Sequence, residues 1–164
     1  MEFEQIRIIL LSFSNYLLSI PIISLGLSKY SDDEVKADWQ PPGYVFAIVW
    51  PILYLLFGII NLKIYYSKKI PKTIKVDNLD MAFEESLIQT GWLIVNGKYF
   101  HKRFLIQYIV GFCIILYLLV YAYFLRIPML YQTKNKSLVY MYIPYTLWIS
   151  FAAILNYQLI RNSL

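Results

Sequence analysis

Catalysis and metal binding draw on a short list of side chains, and this chain is poor in them. It has one histidine, His101, and one cysteine, Cys113. A single cysteine cannot close a disulfide within the chain, and one histidine is a poor start for a transition-metal site. No metal, cofactor or catalytic residue is therefore expected. No glycine-rich phosphate loop, HExxH motif or nucleophile triad occurs either. What recurs is aromatic: 4 Trp, 16 Tyr and 10 Phe. Phe46, Trp50, Leu53, Tyr54 and Phe57 fall at helical spacing on one stripe, and Tyr145, Trp148, Ala152, Leu155 and Leu159 on another. Trp50 and Trp148 lie far from the nearest charge, where an indole N–H needs a partner. A pocket between helices could hold a flat apolar ligand by stacking on such rings, and simple packing is the alternative. Tyrosines nearer the charges, such as Tyr65, Tyr66, Tyr99, Tyr131, Tyr140 and Tyr142, read as an interfacial belt.

The elements that must position these rings follow from the spacing of charge. Lys, Arg, Asp and Glu make up only 15% of the 164 residues, against 59% hydrophobic, and mean hydropathy is +0.53. Runs of 21, 24, 22 and 24 uncharged residues follow Arg7, Asp38, Arg103 and Lys136. A membrane-crossing helix needs about 20 apolar residues. The sequence therefore predicts an all-α, polytopic membrane protein, a bundle of five transmembrane helices in one domain over residues 1–164. The predicted spans are about 6–28, 43–66, 81–100, 104–125 and 139–160. Pro21 is expected to kink the first, which is read as a span and not as a cleaved leader. The residues left over are spread across loops and ends, which excludes a separate soluble catalytic domain. The net charge of +5 sits in short loops, where it reads as topology signal and lipid-headgroup contact, with no nucleic-acid partner implied.

The third segment is the weak one. Its longest uncharged stretch, Ser86–Gly97, has 12 residues, so it reads as a re-entrant helix as readily as a span. Glu84 and Glu85 are expected near one membrane surface. The four long windows hold polar groups such as Ser12, Ser14, Asn15, Ser19, Asn61, Gln107 and Asn156, but no ionisable acid or base, which argues against a proton relay or ion pump. On the last span Tyr157 stands nine residues from Trp148 and so points to the opposite side, with Arg161 close to Tyr157.

The run Trp39-Gln40-Pro41-Pro42-Gly43-Tyr44-Val45-Phe46-Ala47-Ile48-Val49-Trp50-Pro51-Ile52-Leu53-Tyr54 resembles the signature of the TspO/translocator protein (peripheral benzodiazepine receptor-like) family. The run from Pro144 through Trp148 to Asn156-Tyr157, then Arg161-Asn162, is similar to that family's fifth helix. Tyr44, Phe57 and Ile160 depart from the family pattern, as do Leu93 and Asn96 in the third helix, where Gln89 and Tyr99-Phe100 fit. The resemblance implies a five-helix bundle, often dimeric, that binds tetrapyrroles, sterols and synthetic aromatic ligands. By motif match it implies a pocket of Phe46, Ala47, Val49, Trp50, Tyr54, Trp148, Ala152 and Leu155. A loop with Trp39, Pro41 and Pro42 would be its lid. The family's cholesterol-recognition pattern falls on Leu155, Tyr157 and Arg161, a separate site from the pocket.

The first functional expectation is thus an integral membrane binding protein for porphyrin or sterol-class ligands, acting in their transport or in stress-linked regulation. A light-dependent porphyrin-degrading enzyme and a membrane scaffold with a vestigial pocket are the alternatives, and binding is favoured over catalysis. The resemblance places such a protein in the mitochondrial outer membrane or a bacterial envelope.

Overall fold

The computed structural model describes residues 3–25, 36–96 and 104–164, and its regular structure there is helical throughout. The elements are α1 (Phe3–Ser12), α2 (Ser14–Ser24), α3 (Gly43–Tyr66), α4 (Lys72–Val95), α5 (Phe104–Tyr121), a π-helical turn (Ala122–Arg126), α6 (Ile127–Gln132) and α7 (Lys136–Asn162). Prolines set two of the starts: Pro42 and Pro71 stand in extended conformation just before α3 and α4, as a residue that cannot donate to the preceding turn should. Asn135 caps α7 by accepting from the Ser137 amide at 3.1 Å.

Neighbouring helices close a ring. The first pair packs on α3 and α4, α4 on α5, α5 on α7, and α7 on α3. Among the described residues, three helical stretches are long and apolar enough to cross a membrane: Gly43–Tyr66, Leu105–Gln132 and Lys136–Asn162. The α1–α2 pair makes a fourth if counted as one broken span. The chain is thus a multi-pass, all-helical integral membrane protein. α4 is as long as α3, 24 residues, but carries Lys72, Lys75, Asp77, Asp80, Glu84 and Glu85.

The second predicted span matches α3 end to end, and the others shift. The third helix begins nine residues before position 81, and residues 97–100 of that span lie outside the described part. The fourth does not stop at Leu125 but continues through the π turn to Gln132. The fifth begins at Lys136. The first is bent by 63° at Phe13 and not at Pro21, which sits inside a continuous α2.

The bend has a packing partner. A Cβ built on Gly58 of α3 would overlap the Phe13 ring, so only glycine leaves room for that ring at the break. Gly58→Ala is expected to cost about 1–3 kcal/mol through overpacking. It should lower the midpoint of thermal unfolding in detergent, and adding Phe13→Ala should restore it. An unchanged midpoint in the single variant would mean the ring moves aside freely.

The interior is not purely apolar. Glu85 of α4 and Arg126 of the π turn are fully buried, with Arg126 Nε 3.3 Å from Glu85 Oε2. Arg126 also donates from Nη1 to the Asn78 carbonyl at 2.9 Å and from Nη2 to Asn61 Oδ1 at 2.7 Å. The Tyr142 hydroxyl donates to Glu85 Oε1. Arg126 thus lies inside the fourth span, which was expected to end at Leu125, and its partner Glu85 comes from α4, outside the four long uncharged windows. Each charge is tolerable because the other neutralises it and the remaining groups find partners.

Candidate ligand-binding site

A cavity of about 370 Å³ lies on the side of the bundle where α2 ends and α3 begins. Tyr16, Ser19, Ile20 and Ile23 of α2 form one wall. Phe46, Ala47, Trp50, Pro51 and Tyr54 of α3, after Gly43 at its mouth, form the second, and Trp92 and Leu93 of α4 the third. The volume falls in the usual range for small-molecule sites. α2 packs chiefly on α4 and meets α3 much less, so the walls part between α2 and α3. Ile20, Ile23, Ala47 and Pro51 are exposed along that seam, which opens sideways from the bundle.

Trp50 is the hub of the aromatic wall. Its ring centre lies 5.7 Å from Tyr54, 5.9 Å from Trp92 and 6.1 Å from Trp148, the last edge-on. Tyr16 meets Tyr54 edge-on at 5.6 Å, and its hydroxyl donates to the Pro51 carbonyl. These are the tilted and T-shaped geometries that aromatic quadrupoles prefer. Polar groups are few and placed deep. Gln89 Nε2 donates to the Tyr54 hydroxyl at 3.0 Å, and the Tyr145 hydroxyl donates to Gln89 Oε1 at 3.3 Å. Tyr54 thus accepts one bond while its own proton stays available. The Trp92 indole N–H is buried with no acceptor among the described residues.

The residues expected from sequence divide among three places. Phe46, Ala47, Trp50 and Tyr54 line the main cavity. Val49 and Trp148 line a shallow groove between α3 and α7. Ala152 and Leu155 line a very small cavity with Gln40, Phe46, Trp92, Asn96 and Asn156. Trp148 still touches the pocket at second hand, through Trp50 and, at 5.5 Å, through Phe46. Of the expected lid, Trp39 packs on Phe151 at 5.8 Å, Pro41 is half-buried and Pro42 exposed, and none of the three lines the main cavity. Residues 26–35 of that connection lie outside the described part.

The sterol pattern also divides. Leu155 is buried, whereas Tyr157 and Arg161 are exposed on the outer side of α7, with Tyr157 6.1 Å from Phe112. Sequence reasoning missed Tyr16, Ser19, Ile20 and Ile23 on α2, Gly43 and Pro51 on α3, and Trp92 and Leu93 on α4. A signal existed for the first four: Ser12, Ser14, Asn15 and Ser19 recur in an apolar window, and all four are buried. Among the described residues no cluster of three or more His, Cys, Asp or Glu side chains could hold a metal.

No solved structure matches this chain. Among curated proteins it is similar to the tryptophan-rich protein TspO of Chlorobaculum tepidum. The two are 25% identical over 134 residues, covering 82% of this chain and 79% of the relative. The TspO/MBR family matches residues 9–161, which takes in the bundle from the last turn of α1 into α7 and the aromatic wall built on Trp50. A match of that length, on a multi-pass helical bundle whose two signature segments meet at Trp50 and Trp148, means that the chain belongs to the TspO/MBR family.

Proposed function

We propose that this protein binds a flat, largely aromatic ligand of the tetrapyrrole class in the cavity between α2, α3 and α4, and takes part in its transport or in stress-linked regulation. The observation that carries this reading is the wall of contacting rings, Tyr16, Tyr54, Trp50 and Trp92, on a cavity open to the side of the bundle. Offset and edge-on ring contacts favour a planar π system over a saturated sterol skeleton. The Tyr54 proton and the Trp92 N–H supply two donors at depth, which suits a ligand bearing a carbonyl or carboxylate. Because the seam between α2 and α3 faces outward, the ligand enters from the bilayer.

The test is a dark titration of the detergent-solubilised protein with protoporphyrin, followed by tryptophan fluorescence and repeated with a sterol as competitor. Saturable quenching that the sterol leaves unchanged is the expected result. Linear quenching at all concentrations would mean partition into micelles and would favour the scaffold reading.

A second reading rests on the three indoles, Trp50, Trp92 and Trp148, in mutual contact through Trp50. An indole beside a photoexcited porphyrin can supply an electron. Among the described residues no Asp, Glu, His or Lys lines the cavity to continue with proton chemistry, and the wall of rings favours binding as the first reading. Illumination of the saturated complex separates the two: a new absorbing product that needs Trp50 would make the protein an enzyme.

A further inference from the structure

The break in the first span exposes a carbonyl that another helix must satisfy. At Phe13 the hydrogen-bond ladder slips: the amides of both Tyr16 and Leu17 bond to the Phe13 carbonyl, at 3.0 and 3.2 Å. The Ser12 carbonyl, which a continuous helix would have paired with the Tyr16 amide, instead accepts from Asn61 Nδ2 of α3 at 3.2 Å. An unpaired peptide carbonyl is costly inside a membrane-spanning bundle. Asn61 therefore caps the break.

What orients Asn61 is the buried charge. A side-chain amide has one accepting and one donating end. Asn61 Oδ1 accepts from Arg126 Nη2 at 2.7 Å and from Asn78 Nδ2 at 3.1 Å. Arg126 offers only protons there, so a flipped Asn61 amide would set N–H against N–H on that side and oxygen against oxygen at Ser12. Arg126, which has no acceptor at all, locks Asn61 with its donor toward Ser12. Arg126 is fixed in turn by Glu85 at 3.3 Å and the Asn78 carbonyl.

We propose that Asn61 and Arg126 are positioning residues for the ligand pocket: by capping the break at Ser12 they hold α2 at its angle, and α2 is the wall that carries Tyr16, Ser19, Ile20 and Ile23. The 63° bend draws α2 away from the direction of α1, and α2 then reaches α3 only lightly. A second contact on α4, Ser14 Oγ to Ser86 Oγ at 2.6 Å, pins the start of α2 just past the break. The wall is thus fixed at its base and open along its length. This inference rests on the pocket reading for its consequence, but the position of α2 can be measured with no ligand present.

The test moves the buried acid without changing the charge count. In the double variant Asn61→Asp/Glu85→Gln, one carboxylate still faces Arg126, but no donor is left for the Ser12 carbonyl. Glu85→Gln alone strands the Arg126 charge but keeps the Asn61 donor and a neutral acceptor for Arg126, so as control it separates loss of the buried charge from loss of the cap. With Cys113 replaced by serine, paired spin labels at Leu17 and Leu116 report α2, and labels at Ile9 and Leu116 report α1. The expected result is a broadened or shifted Leu17–Leu116 distance in the double variant only, with Ile9–Leu116 unchanged. Protoporphyrin should then bind about tenfold more weakly, the size of one lost hydrogen bond.

Should the double variant not fold, the all-apolar Asn61→Leu/Glu85→Leu/Arg126→Met variant leaves no buried charge and is expected to show the same confined change. Distances identical to those of the Glu85→Gln control, or equal broadening at Ile9 and Leu17, would overturn the proposal. A protein in which α2 shifts as expected but porphyrin never binds would leave the cap standing and remove the ligand reading.

Discussion

Arg126→Leu is expected to destabilise the bundle by about 3–5 kcal/mol, the usual cost of stranding one half of a buried ion pair. The substitution leaves the Glu85 carboxylate with the Tyr142 hydroxyl as its one neutral donor. It also strips the Asn78 carbonyl and Asn61 Oδ1 of charged donors. Glu85→Leu should cost a similar amount, because a guanidinium then lies buried with only neutral acceptors and the face of Phe57, 5.4 Å away. The double variant Glu85→Leu/Arg126→Met should cost much less than either single change, since paired removal of a buried charge couple is often close to neutral. Thermal unfolding in detergent, followed by circular dichroism, measures all three. Independent, additive losses would show that the two residues do not act as a pair.

That pair also marks where sequence reading stops. A hydropathy window counts charges and does not see their partners, so Arg126 looked like the edge of an apolar run. In the structure it is the residue that α3 and α4 converge upon, through Asn61, Asn78 and Glu85. The same blindness shortened the third helix, because Lys72, Lys75, Asp77 and Asp80 hid the first turns of a 24-residue helix behind polar character. α3, by contrast, was legible to the residue, since Pro42 starts it and its apolar run ends at an aromatic pair with basic residues beyond.

The break at Phe13 was not legible at all. Pro21 advertised a kink, yet a proline in the helix interior need not bend it when neighbours take up the freed carbonyl. The actual bend depends on Gly58, Asn61 and Ser86, which stand on other helices. Two of the three walls of the pocket, those of α2 and α4, went unread for the same reason. The aromatic stripe on α3 could be found by periodicity, but which helices face it is a matter of packing.

The largest effect on binding is expected at Trp50. Trp50→Ala should weaken protoporphyrin binding by about thirtyfold, in line with loss of a central aromatic anchor of about 2 kcal/mol. The reason is geometric. Trp50 lines the cavity and its ring also supports Tyr54, Trp92 and Trp148, so its removal opens the wall from three sides. Trp92→Phe keeps a ring in the wall but loses the indole N–H, and should cost about three- to tenfold. Trp148→Ala should cost about threefold or less. Trp148 lies in the outer groove between α3 and α7 and reaches the cavity only through Trp50 and Phe46. Sequence alone makes Trp50 and Trp148 equal partners, so their ranking decides where the ligand sits. Dissociation constants from the dark titration of each variant give that ranking. Equal losses, or a larger loss at Trp148, would move the ligand out of the α2–α3–α4 cavity and into the seam between α3 and α7.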